Sequence, residues 1–155
     1  MTETQRPRPH PSLAILEPLV GEWAAEFEDP GHPGTTLRAT TVFEWLLGGR
    51  FLLQLSTAPS PFPSGHCLIG RSDPDDGSSP LIQHYFDSRG VVRKYVMTFD
   101  GRSWTLERKG DDDFDQRFRG AISEDGATLT GTWETSDGPG QPLHDDFDVA
   151  YRRVR

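Results

Sequence analysis

Leu81–Arg108, LIQHYFDSRGVVRKYVMTFDGRSWTLER, reads as three antiparallel strands joined by two tight turns. Asp100-Gly101 is the two-residue signature of a type I′ hairpin, because both central positions of that turn require positive φ. Counting outward sets Met97 opposite Trp104, Tyr95 opposite Leu106, and Arg93 opposite Arg108. On the other side, Ser88-Arg89-Gly90 suits a three-residue loop with glycine in the left-handed conformation, which sets Asp87 opposite Val91, Tyr85 opposite Arg93, and Gln83 opposite Tyr95. One face of the sheet then collects Leu81, Gln83, Tyr85, Arg93, Tyr95, Met97, Trp104, Leu106 and Arg108. That face is apolar, aromatic and doubly cationic.

The flanking chain has the same character. From Val20 to Glu28, Trp23, Ala25 and Phe27 alternate with Glu22, Glu26 and Glu28, the period-two pattern of a half-buried strand. Gly48-Gly49 turns Thr36–Leu47 into Arg50–Thr57, pairing Leu46 with Phe51, Glu44 with Leu53, and Val42 with Leu55. Glu44 is the one charged member of that set, so the face is expected inside, with Glu44 as an inward carboxylate. Pro59, Pro61 and Pro63 stiffen the next loop, and a short strand follows over His66–Arg71. Asp125-Gly126 joins Phe114–Ser123 to Ala127–Thr135, with Ile122 opposite Leu129, Gly120 opposite Gly131 and Phe118 opposite Trp133 on the inner face. Arg117 and Glu134 face each other outside. The last strand, Leu143–Val154, alternates Leu143, Phe147, Val149 and Tyr151 with polar residues. Near the start, Ser12–Glu17 predicts one helical turn capped by Ser12 and stopped by Pro18. Residues 1–11 are polar and Pro-rich, and are expected to be a disordered tail.

About ten short antiparallel strands in hairpin order predict an all-β domain over residues 12–155, a single up-and-down β-barrel of the calycin or lipocalin kind. A two-sheet sandwich is the alternative. A barrel of that width is wider than its own side chains fill, so it is expected to hold a ligand cavity.

The 155 residues have room for one domain. With 16 Lys plus Arg against 24 Asp plus Glu, the net charge of −8 argues against a nucleic-acid backbone or an anionic membrane as partner. Cys67 is the only cysteine, which excludes an internal disulfide and fits a reducing compartment. No apolar run approaches the roughly 20 residues of a membrane span, and the first residues lack the apolar centre of a signal peptide, so a cytoplasmic protein is expected. A homodimer is left open.

Two arginines opposed on an inner surface require something anionic between them. Glu44 is the internal candidate, with Asp145 second. In the functional reading, Arg93 and Arg108 hold the anionic head of a small hydrophobic molecule. Tyr85, Tyr95 and Gln83 orient it, while Trp104, Met97, Phe118, Trp133 and Phe147 line the apolar volume. The competing reading is a structural Arg/Glu network. A cavity enzyme of the isomerase or cyclase type, using Glu44 and Tyr95 for acid/base help, is the second functional reading.

Of the five histidines, His10 and His32 fall in loops and His84 and His144 on outward faces. His66, at a strand start, is the best placed for haem or for a general base. No histidine pair or cysteine pair has metal-ligand spacing, and Asp73–Gly77 and Asp111–Asp113 read as solvated turns. Nothing marks a nucleophile. The residues therefore assign no catalytic group, no metal and no cofactor.

At Gly21-Glu22-Trp23, Leu46–Phe51, Asp87–Gly90 and Gln116-Arg117-Phe118 the chain resembles the DUF1579-like family of bacterial proteins. The similarity extends to Asp146-Phe147-Asp148 and Tyr151. More distantly, the Gly21/Trp23 opening and the strand count are similar to nitrobindin-type calycin barrels. That resemblance implies a barrel with a cavity that holds haem b through a histidine near the C-terminus. Here Ala25 and Phe27 replace the glycines that follow the tryptophan in that family, and the tail Tyr151–Arg155 contains no histidine.

Overall fold

The computed structural model describes residues 7–155. A 3-10 helix, Pro11–Leu19, precedes ten strands: β1 Gly21–Glu28, β2 Thr36–Leu46, β3 Phe51–Thr57, β4 Gly65–Arg71, β5 Leu81–Asp87, β6 Val92–Phe99, β7 Ser103–Arg108, β8 Gln116–Ile122, β9 Thr128–Ser136 and β10 Leu143–Arg153. Every neighbouring pair in sequence is antiparallel, and β1 also pairs with β10. The sheet is therefore a closed barrel with no free edge, and the sandwich alternative falls.

The β5–β6 hairpin has the expected register, Gln83 opposite Tyr95 and Tyr85 opposite Arg93, with Gly90 at φ 82°. The β8–β9 hairpin likewise pairs Phe118 with Trp133, Gly120 with Gly131 and Ile122 with Leu129. Outside it, Arg117 and Arg119 both reach the Glu134 carboxylate, at 2.9 and 3.0 Å.

The β6–β7 register is displaced by two residues, so that Met97 faces Leu106 and Phe99 faces Trp104. Of the central pair only Gly101 has positive φ; the Asp100 carboxylate instead accepts from the Arg102 and Ser103 amides at 2.9 and 2.6 Å. That side-chain cap lengthens the loop and defeats the type I′ turn. A two-residue slip preserves the face of every side chain, so the inner set survives, but Arg93 no longer stands opposite Arg108.

The β2–β3 register is as expected, Glu44 opposite Leu53, yet the inside and outside are exchanged. Phe43, Trp45, Leu52 and Gln54 are buried, while Glu44 is exposed on the outer face. The two tryptophan-bearing strands decide this: Trp23 (0% exposed) and Trp45 (7%) both enter the barrel core, and the apolar outer set of Val42, Leu46, Leu53 and Leu55 is left only half-buried. Asp145, the second internal candidate, is also exposed, beside a bulge in β10.

The helix closes one end of the barrel, running past the expected stop to include Pro18. Leu13, Leu16 and Leu19 are fully buried in one cluster with Trp23, Leu52 and Ile69. The Trp23 indole donates to the Leu19 carbonyl at 2.9 Å, and the Trp45 indole to Glu17 at 2.8 Å. Of the expected tail, residues 1–6 lie outside the described residues; the His10 amide donates to the Gly49 carbonyl at 3.0 Å.

Candidate functional site

At the end of the barrel opposite the helix, the strands enclose a cavity of about 340 Å³. Its size lies at the lower end of the range for sites that bury small molecules, about 300–1,000 Å³. Of the residues expected here, Gln83, Tyr85, Arg93 and Tyr95 line one side, from β5 and β6. Trp104, Phe118, Trp133 and Phe147 line the other, from β7 to β10.

Three expected residues are elsewhere. Glu44 is outside the barrel. Met97 is buried at 2% exposure in the packed core rather than in the cavity wall. Arg108 also stays out of the wall, because the Asp113 carboxylate at 2.5 Å and the Phe114 carbonyl at 2.8 Å pull its guanidinium toward the β7–β8 loop.

Gln54, Ser56, Cys67, Arg89, Gln116 and Tyr151 complete the polar part of the lining. Gln54 and Ser56 were hidden by the exchanged face of β3. Gln116 has no periodicity signal of its own, although a polar residue at an inward strand start next to Phe118 could have marked it.

Gln116 organises the mouth. Its side-chain oxygen accepts from the Tyr95 hydroxyl at 2.8 Å and lies 3.5 Å from one nitrogen of Arg93 and one of Arg108. Both guanidinium groups also sit over the Phe114 ring, at 5.2 and 5.3 Å from its centroid. The two arginines, though not opposite each other in the register, meet at one place, and what stands between them is a neutral amide and an aromatic ring. Arg108 has Asp113; Arg93 has no carboxylate partner among the described residues.

Beside them Asp87 accepts from the Tyr85 hydroxyl at 2.8 Å and pairs with Arg89 at 2.7 Å. The Arg89 guanidinium holds the Asp87 carboxyl well below its ordinary value, and burial together with the Asp87 bond pushes the Tyr85 hydroxyl up. Burial likewise raises Tyr95, and lifts the Cys67 thiol and the Tyr151 hydroxyl each to about 12. All four groups are protonated at neutral pH. Among the described residues the lining includes no carboxylate and no imidazole, so it offers donors and one free guanidinium rather than a base. That corrects the acid/base pairing of Glu44 with Tyr95. Deeper in, the Gln83 side-chain oxygen and the Trp104 indole nitrogen are buried without a hydrogen-bond partner.

Haem b, implied by the nitrobindin-type resemblance, does not fit these residues. No histidine lines the cavity. His66, the best-placed candidate by sequence, is exposed on the outer face of β4. Among the described residues no cluster of His, Cys, Asp and Glu could hold a metal ion.

Fold and site together define a calycin-like β-barrel with an interior cavity. No family model matches the chain, so the DUF1579-like resemblance finds no support there, and no curated protein matches it either. Among solved structures the chain is similar to the crystal structure of Rv2717c from M. tuberculosis, with a TM-score of 0.66 and 20% identity over 96% of this chain and 100% of that one. That likeness is one of fold.

Proposed function

We propose that the barrel binds a small, mainly hydrophobic molecule that carries an anionic or hydrogen-bonding head. The observation that carries this reading is the charge of the lining. In a protein of net charge −8, the described residues of the cavity wall present Arg89 and Arg93 and no carboxylate. Asp87 neutralises Arg89, which leaves Arg93 half-buried without a counter-ion among the described residues. An unpaired cation in a partly desolvated site is costly, and a bound anion relieves that cost. The partnerless Gln83 and Trp104 atoms in the same wall support the reading, since buried polar atoms are normally paired.

Native mass spectrometry of the freshly purified protein, set against its denatured mass, tests it. The expected result is a small non-covalent adduct that Arg93→Ala loses or holds more weakly. A protein that carries no adduct and takes up no small anion of cavity size would overturn the reading.

A further inference from the structure

The mouth and the wall each restrict the chemistry of the occupant, and this inference rests on the cavity-binding reading above. At the mouth, the Tyr95 hydroxyl and the guanidinium groups of Arg93 and Arg108 converge on one atom, the Gln116 side-chain oxygen. A phenol and two cations gathered around a neutral amide oxygen are matched less well than they would be by a carboxylate, whose charge strengthens each bond and whose two oxygens can take a guanidinium fork. Only the Tyr95 contact, at 2.8 Å, is short; both arginine contacts are stretched to 3.5 Å. Arg108 is already served by Asp113, so the unmet donors are those of Arg93.

The wall is aromatic rather than aliphatic. Tyr85, Tyr95, Trp133, Phe118 and Trp104 form a continuous chain of tilted and edge-to-face rings, with successive centroids 6.5, 5.9, 5.2 and 4.9 Å apart. Of the branched aliphatic residues that would cradle a flexible acyl chain, Leu106 alone among the described residues reaches the lining, while Leu52, Ile69, Leu81 and Leu129 pack in the core. Ring edges and faces favour a planar π system. A volume of about 340 Å³ limits that system to one or two fused rings.

We infer that the ligand is a compact aromatic monocarboxylate, its carboxylate taken by Arg93 and Tyr95 at the position that the Gln116 oxygen now serves, and its ring system stacked among Tyr95, Trp133 and Phe118. Gln116 is then a positioning residue: it holds the donors converged and yields them to the acid.

Isothermal titration calorimetry at neutral pH with 2-naphthoate, 2-naphthamide and decanoate tests this. Naphthoate is expected to bind at least about tenfold more tightly than either of the other two, a difference of about 1.4 kcal/mol. Arg93→Ala should weaken naphthoate more than naphthamide and so remove the advantage of the acid over the amide. Arg93→Lys, which keeps the charge without the fork, should retain part of it. Equal binding of naphthoate and naphthamide would overturn the carboxylate assignment. Decanoate binding at least as tightly as naphthoate, and still depending on Arg93, would overturn the aromatic assignment while leaving the cavity reading intact. If no probe binds and no adduct is carried from purification, both readings fall.

Discussion

Gly131→Ala should destabilise the barrel although it adds one methyl group to a strand. A Cβ at this position would lie 2.3 and 2.5 Å from two atoms of the Phe118 ring and 2.9 Å from the Arg119 carbonyl oxygen. The Phe118 ring is only 1% exposed and stands between Trp104 and Trp133, with centroids 4.9 and 5.2 Å away, so its one open direction is the cavity. Overpacking of this kind costs about 1–3 kcal/mol, and the backbone oxygen, which cannot retreat, places this case near the upper end. Losing a glycine returns about 0.4–1 kcal/mol through the unfolded chain. The net loss is about 2 kcal/mol, which for a domain of this length lowers the melting temperature by about 4–8 °C. Because the displaced ring moves into the cavity, naphthoate affinity should fall as well. Calorimetric melting with and without the probe reads both effects. A variant as stable as the parent, with unchanged probe binding, would refute the placement of Phe118 against the glycine strands and with it the inner wall of the cavity.

Asp87→Asn removes the charge that serves Tyr85 and Arg89, and should lower stability by about 1.5–3 kcal/mol at neutral pH, as read by denaturant midpoints. The Asp87 carboxyl titrates below its unfolded value in the folded protein, so its contribution is complete above the ordinary carboxylate pKa of about 4 and lost as pH falls through the lower folded value. The gap between parent and variant should therefore close on acidification; a gap that widened would reverse the sign of the argument. Glu44→Ala, on the outer face, should change stability by no more than about 0.5 kcal/mol and leave probe binding untouched, and a loss of binding would return that carboxylate to the interior.

Much of the barrel was legible because turn chemistry and side-chain alternation agree. Gly90 fixed the β5–β6 register, and with it the neighbours Tyr85 and Arg93, since a left-handed residue is needed there and glycine supplies it. At Asp100-Gly101 the dipeptide was a poorer guide, because an aspartate can cap the following amides instead of entering positive φ itself. The inner face of β6 and β7 survived that slip only because the displacement was even. For β2 and β3, the rule that the more apolar face lies inside failed. A barrel with a polar cavity needs Thr41, Gln54 and Ser56 inside, while its outer surface tolerates half-buried leucines. The lone charge of Glu44 in that set was the mark of an outward face. The pairing of Arg108 with Asp113 was illegible, since it depends on how a loop folds back.

The four tryptophans supply the most direct test of whether the cavity is the binding site. Trp104 and Trp133 line it, whereas the Trp23 and Trp45 indoles are tied to the helix at the closed end. In ¹H–¹⁵N spectra with the four indole signals assigned by single Trp→Phe variants, saturating 2-naphthoate should move the Trp104 and Trp133 resonances and leave those of Trp23 and Trp45 in place. Movement confined to Trp23 and Trp45, or binding that moves no indole at all, would contradict a ligand site inside the barrel.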